Sequence, residues 1–156
     1  MSIFTGFHLS GLSFLWKTNT GINVFEKGKR IAIFNKENGQ LSDNAVLSMF
    51  NDSQNNVWIG TYLGGVNCYN NKNKQFKQIV LGGKSKLDVR CFFEDLHHNL
   101  WVGSSEGIYF INLQDQQKIT AYNSKNSGLQ GDLVRSIFQD SKGRMWIGTF
   151  GNGLGI

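Results

Sequence analysis

The chain has 156 residues, a formal net charge of +5 and a pI near 9.3, with 19 glycines and no proline. That length suffices for one ordinary core, and no run approaches the ~20 apolar residues of a membrane-spanning helix. The lysines are scattered through turn-like segments and form neither a stripe nor a dense run, which describes a solvated basic surface and argues against nucleic-acid binding.

The first apolar run, Ile3 to Leu9, precedes the phrase LWKTNTGI from Leu15, and that phrase returns as VWIGTYLGG from Val57, LWVGSSEGI from Leu100 and MWIGTFGNG from Met145. The tryptophans, Trp16, Trp58, Trp101 and Trp146, stand 42, 43 and 45 residues apart. A period of this size with strand-like content marks a radial or stacked repeat. The opening segment lacks the basic start of an export signal and is broken by Thr5, Gly6, His8, Ser10 and Gly11, so it reads as a worn first copy.

In the second copy Val46 to Phe50 leads to Asp52, Ser53 to Asn56 make a polar turn, and Val57 to Ile59 resume the apolar pattern before Gly60 and Thr61. Two further runs, Val66 to Tyr69 and Phe76 to Leu81, complete the unit. The third copy has Val89 to Phe93, Asp95, a turn containing His97 and His98, Leu100 to Ser104, then Ile108 to Leu113 and Ile119 to Tyr122. The fourth has Val134 to Phe138, Asp140, Gly143 and Met145 to Thr149, and reaches Ile156 as its third strand begins. In these three copies an Asp stands six residues before the Trp, whereas the first has Ser10 there. Fixed spacing of this kind suits a hairpin, in which turn length sets register.

The runs are short, β-branched and aromatic, and bounded by Gly, Asn, Ser and Asp, so they are strands, four to a unit. Several are nearly continuously apolar, which requires both sheet faces to be covered. The fold expected is therefore all-β: a partial β-propeller of about three and a half four-stranded antiparallel blades, near residues 1–40, 41–84, 85–126 and 127–156, the last cut short. The run ending in Asp is innermost and the Trp strand second. Cys68 and Cys91 lie in apolar strands of adjacent units, as small buried hydrophobes and not a disulfide pair.

The pattern Asp-x-x-Gly-x-apolar-Trp-Ile-Gly-Thr at Asp140 to Thr149, with relatives at Asp52 to Thr61 and Asp95 to Ser104, resembles the two-component regulator propeller repeat. The resemblance implies the extracytoplasmic sensor region of a hybrid histidine kinase, many of which respond to glycan fragments, with a second propeller, an immunoglobulin-like domain, a membrane helix and kinase modules elsewhere. It implies a periplasmic location for this part of such a sensor. Few blades, no convincing export signal and an end in mid-blade point to a fragment or truncated form.

For the sites, Asp52, Asp95 and Asp140 are assigned to their turns, accepting backbone N–H bonds, in preference to a calcium ring. The tryptophans are wedges between blades before they are sugar platforms. His97 and His98 fall in a solvated turn on the face opposite the usual ligand funnel. Binding is expected where the inner strand begins and where the second strand passes to the third: Arg90 and Arg135 at equivalent positions, with Tyr62 and Phe150 just beyond the Trp strands. Arg plus aromatic suits an anionic or hydroxyl-rich oligosaccharide. No catalytic residue, metal or cofactor is expected, which sets the lyase chemistry some propellers perform below ligand sensing; self-association through open blade edges is the alternative function.

Overall fold

The computed structural model describes residues 7–9, 13–18, 20–84, 86–114 and 118–156, and side chains from residue 20 onward. Every regular element among them is a β-strand, and no helix is long and apolar enough to cross a membrane. The first sheet contains β1 (Phe7–Leu9), β2 (Ser13–Thr18), β3 (Gly21–Glu26) and β4 (Lys29–Phe34). The second contains β5 (Val46–Asn51), β6 (Val57–Thr61), β7 (Gly65–Asn70) and β8 (Gln75–Ile79). The third has β9 (Val89–Glu94), β10 (Asn99–Ser104), β11 (Gly107–Asn112) and β12 (Ile119–Tyr122), and the fourth β13 (Val134–Gln139), β14 (Met145–Thr149) and β15 (Gly153–Gly155). In each sheet spatial order follows chain order and neighbours are antiparallel.

The inner strands β5, β9 and β13 lie side by side, so the sheets fan out from a common line as propeller blades do. Expectation and structure agree on strand count and order. The first inner strand is shorter than the run Ile3 to Leu9, whose start lies outside the described residues.

Three apolar clusters fill the gaps between successive sheets. Ile22, Val24, Val46, Met49, Val57 and Ile59 join the first sheet to the second. Trp58, Val66, Cys68, Leu100, Val102 and Ile111 join the second to the third, and Ile108, Val134 and Ile137, with Trp101 and Met145 packed on them, join the third to the fourth. Both faces of a middle blade are thereby buried, which explains the unbroken apolar runs. Cys68 and Cys91 are unpaired thiols, and burial pushes both up to about 12, so they are inert packing groups.

The glycine two residues after Trp58, Trp101 and Trp146 marks close approach. A Cβ at Gly60 would sit 2.6 Å from the Val89 carbonyl oxygen and 2.7 Å from Val89 Cγ1; one at Gly103 would meet Cys91 Sγ and stand 2.8 Å from Val134 Cγ1. The inner-strand residue facing this glycine is correspondingly small, Ser48, Cys91 or Ser136, and the Ser48 hydroxyl donates to the Val89 carbonyl of the next inner strand at 3.0 Å. The hydroxyl that follows closes the next turn: Thr61, Ser104 and Thr149 donate to the carbonyls of Gly65, Gly107 and Gly153 at 3.1, 2.9 and 3.1 Å.

Candidate functional site

One end of the sheets carries the Asp turns. Asp52 Oδ1 accepts from the backbone N–H groups of Gln54 (2.9 Å) and Asn56 (2.8 Å), and Oδ2 accepts from the Asn56 amide (2.9 Å) and the Trp58 indole (2.8 Å). Asp95 repeats this with His97, Asn99 and Trp101, and Asp140 with Lys142, Arg144 and Trp146, the indole bonds being 2.9 Å in both. The turn role assigned from sequence is therefore half of the function of these carboxylates. The other half, a latch onto the tryptophan six residues on, was signalled by the constant spacing. Burial alone would raise the Asp95 carboxyl, but hydrogen bonds from the Trp101 indole, Asn99 and His97 together hold it below the usual carboxylate range. The Trp146 indole bond, followed by the Arg144 bonds, pulls the Asp140 carboxyl far down.

His98 occupies the left-handed position of its turn (φ 59°), where the neighbouring copies place Asn55 and Gly143. Its ring is exposed, as expected of a turn, yet it also joins two blades. His98 Nδ1 stands 3.0 Å from Glu94 Oε1 and 3.1 Å from Ser53 Oγ, while Ser53 donates its N–H and hydroxyl to Glu94 at 2.7 and 2.5 Å. Serine and carboxylate meet the same ring nitrogen, so the imidazole cannot relay a proton between them as it does in a nucleophilic triad. The cluster fastens one blade to the next; Leu96 N–H to Gln139 Oε1 (3.2 Å) is its counterpart one blade further on.

The opposite end carries the expected binding positions. The inner strands β5, β9 and β13 each open with a β-bulge: pairing skips from Val46 to Ser48, from Val89 to Cys91 and from Val134 to Ser136. The skipped residues are Leu47, Arg90 and Arg135. A bulge re-aims one side chain out of the alternation, and this is why both arginines stand clear of the ladder beside the loops.

Arg135 and Phe150 come together, the guanidinium carbon 5.2 Å from the ring centroid. Phe150 is 65% exposed, an unusual placement for a phenyl ring. Arg90 is held differently: Nη2 donates to Asp88 Oδ2 at 2.9 Å, and its buried Nε has no hydrogen-bond partner among the described residues. Asp88 Oδ1 accepts the N–H of Leu63 at 3.0 Å, tying the second blade's loop to the third blade. Tyr62 precedes Leu63 and is half-exposed. Leu63 has a φ of 57° and is half-exposed, where the fourth copy places Gly151 at φ 80°. A leucine held left-handed costs about 1 kcal/mol or more.

Residues 40–63 and 128–151 match the two-component regulator propeller repeat. Over 97% of its length the chain is 43% identical to the extracellular domain of a protein described as a hybrid two-component system of B. thetaiotaomicron, with a TM-score of 0.86, and it covers 20% of that chain. The chain carries two-component regulator propeller repeats. A second extracellular domain from the same bacterium is similar over 96% of this chain and 22% of its own, at 20% identity and a TM-score of 0.78. PorZ, a surface component of the type-IX secretion system of Porphyromonas gingivalis, is similar over 97% and 22% at 19% identity and a TM-score of 0.63. These last two likenesses concern the fold alone. The propeller chain spans about a fifth of the length of the solved structures it matches, and no curated protein matches it.

Proposed function

We propose that this chain is part of the ligand-sensing propeller region of a two-component sensor, working on the periplasmic side of the membrane, and that it binds an oligosaccharide without chemically altering it. The observation that carries this reading is the Arg135–Phe150 pair, a cation over an exposed ring at a bulged position on the loop face. The ring offers a stacking surface to the C–H face of a sugar, and the guanidinium offers paired N–H donors to a carboxylate or to vicinal hydroxyls. Arg90, Tyr62 and Leu63 extend the same face across the neighbouring blade. The paired histidines lie at the other end, where His98 is part of a blade-to-blade fastening, which supports binding over catalysis.

The test is a thermal-shift and titration series with neutral and acidic oligosaccharides. The expected result is saturable binding of an oligosaccharide that weakens about tenfold or more in Arg135→Ala and in Phe150→Ala. Binding by no member of the series, or binding indifferent to both substitutions, overturns the reading.

A further inference from the structure

At one core position of the third strand the repeat breaks its own rule. In the second blade that position is Asn67, a buried amide fully used: its Oδ1 accepts from the Ser42 N–H (3.1 Å) and its Nδ2 donates to the Ser42 hydroxyl (2.8 Å). In the third blade it is Tyr109, 3% exposed, whose hydroxyl makes no hydrogen bond among the described residues. The hydroxyl oxygen is not among the fully buried polar atoms that lack a partner, so it opens onto free space. Here the ring lines a cavity of about 310 Å³ at the loop end of the blade.

The cavity is walled by structure that leaves little freedom. Leu81, Gly82, Gly83 and Lys84 form a tight turn closed by Lys84 N–H to the Leu81 carbonyl at 2.9 Å, with Gly82 at φ 56° and Gly83 at φ 77°. A Cβ at Gly82 would stand 3.1 Å from the Tyr109 ring, so both conformation and space demand glycine there. Lys84 pairs with Glu106 of the facing loop. Lys125, Asn123 and Asp132 line the other side; Asp132 Oδ1 accepts from the Ser124 N–H at 2.6 Å, and the Lys125 ammonium has no ion-pair partner among the described residues.

We infer that this cavity is a binding site for one neutral, hydroxyl-rich ring, a hexose unit, with the Tyr109 hydroxyl as its innermost contact. Its volume lies at the small end of ligand pockets, roughly 300–1,000 Å³. Two lysines face two carboxylates, so the lining carries no net charge, and an anion or a cation would each meet two groups of its own sign. Hydroxyls, by contrast, donate and accept alternately, as the Tyr109, Ser105 and Asn123 groups do. The inference takes the ligand's class from the sensor reading but not its location, since it uses none of the Arg135–Phe150 pair.

The experiment is a heteronuclear NMR titration of the chain with the methyl glycosides of glucose, galactose and mannose, alongside sodium glucuronate and glycine. The expected result is saturable shifts for at least one neutral glycoside, centred on the amides of Gly82, Ser105 and Asn123, with Kd raised about fivefold in Tyr109→Phe and also raised in Lys125→Ala. Tyr109→Phe removes an unpaired hydroxyl, so it should unfold no earlier than the parent, which separates a lost contact from a lost fold. Shifts centred on Phe150 and Gly151 would overturn the cavity assignment while leaving the sensor reading intact. Binding of glucuronate or glycine in preference, no saturable shift with any neutral glycoside, or an unchanged Kd in Tyr109→Phe would each overturn it as well.

Discussion

Replacing Asp52 by alanine strips four hydrogen-bond donors of their acceptor at once. The Gln54 N–H reaches water. The Trp58 indole, on a side chain with 0% exposure, and the two Asn56 donors do not. Each stranded buried donor costs about 1–3 kcal/mol, and partial entry of water into the vacated space lowers the sum, so about 3–5 kcal/mol is expected. Against a typical domain stability of about 5–15 kcal/mol that loss is severe. The same substitution at Asp95 breaks the same pattern around Trp101, which is only partly buried, and about 1–3 kcal/mol is expected. At Asp140 the Lys142 and Arg144 donors are exposed and only the Trp146 indole is partly buried, so the effect is the smallest of the three. Urea unfolding of the three variants measures the order directly, and a double-mutant cycle of Asp52→Ala with Trp58→Phe should give a coupling of about 1–2 kcal/mol. Equal losses at all three positions, or a reversed order, would show that burial of the indole is not what makes the latch valuable.

Gly60→Ala and Gly148→Ala test the close approach in the same way. The first forces a methyl against the Val89 backbone of the next blade and should cost about 1–3 kcal/mol; the second meets only the Ser136 side chain and should cost distinctly less, as thermal unfolding will report. Acid should weaken the chain through Asp95 and Glu94, both held below the usual carboxylate range: for Glu94 burial opposes ionisation, but the Ser53 hydroxyl, His98 and the Ser53 N–H outweigh it. A depressed folded-state pKa gives stability that is complete above the ordinary carboxylate pKa, about 4, and that disappears as pH falls through the lowered value. Melting temperature followed from pH 6 downward should therefore fall below about pH 4, with a shallower fall in Asp95→Asn; parallel curves would refute the assignment to Asp95.

The architecture was legible because it is periodic. Trp58, Trp101 and Trp146 gave the unit, the Asp six residues earlier gave the hairpin, and the unbroken apolar runs gave the two covered faces. What could not be read were contacts made across blades or out of register. The bulges that lift Arg90 and Arg135 insert no recognisable turn residue, so the sequence marked these arginines as equivalent without revealing that one faces Phe150 and the other Asp88. The bonds from Ser53 to Glu94 and to His98 join residues 41 and 45 positions apart, a relation only the third dimension supplies. Tyr109 read as one more apolar strand residue, because nothing local distinguishes a satisfied tyrosine from an unsatisfied one.

A chain that repeats itself also supplies its own controls. Where the copies agree, at the Asp, the Trp, the glycine and the hydroxyl after it, every side chain is engaged in turn, wedge or close approach, and the agreement has a structural cause. Under the proposed sensor reading, recognition is sought where equivalent positions differ. Three such positions stand on or near one end of the blades: the bulged residue, which is Leu47, Arg90 or Arg135; the residue after the hydroxyl, which is Tyr62, Ser105 or Phe150; and the buried third-strand residue, which is Asn67 or Tyr109. The turn after the hydroxyl also changes length, being one residue shorter where Ser104 pairs with Gly107 than where Thr61 pairs with Gly65 and Thr149 with Gly153. In the proposed sensor reading the loop end, where these side chains vary, is the end that meets the ligand, and the Asp-turn end carries the recurring latch.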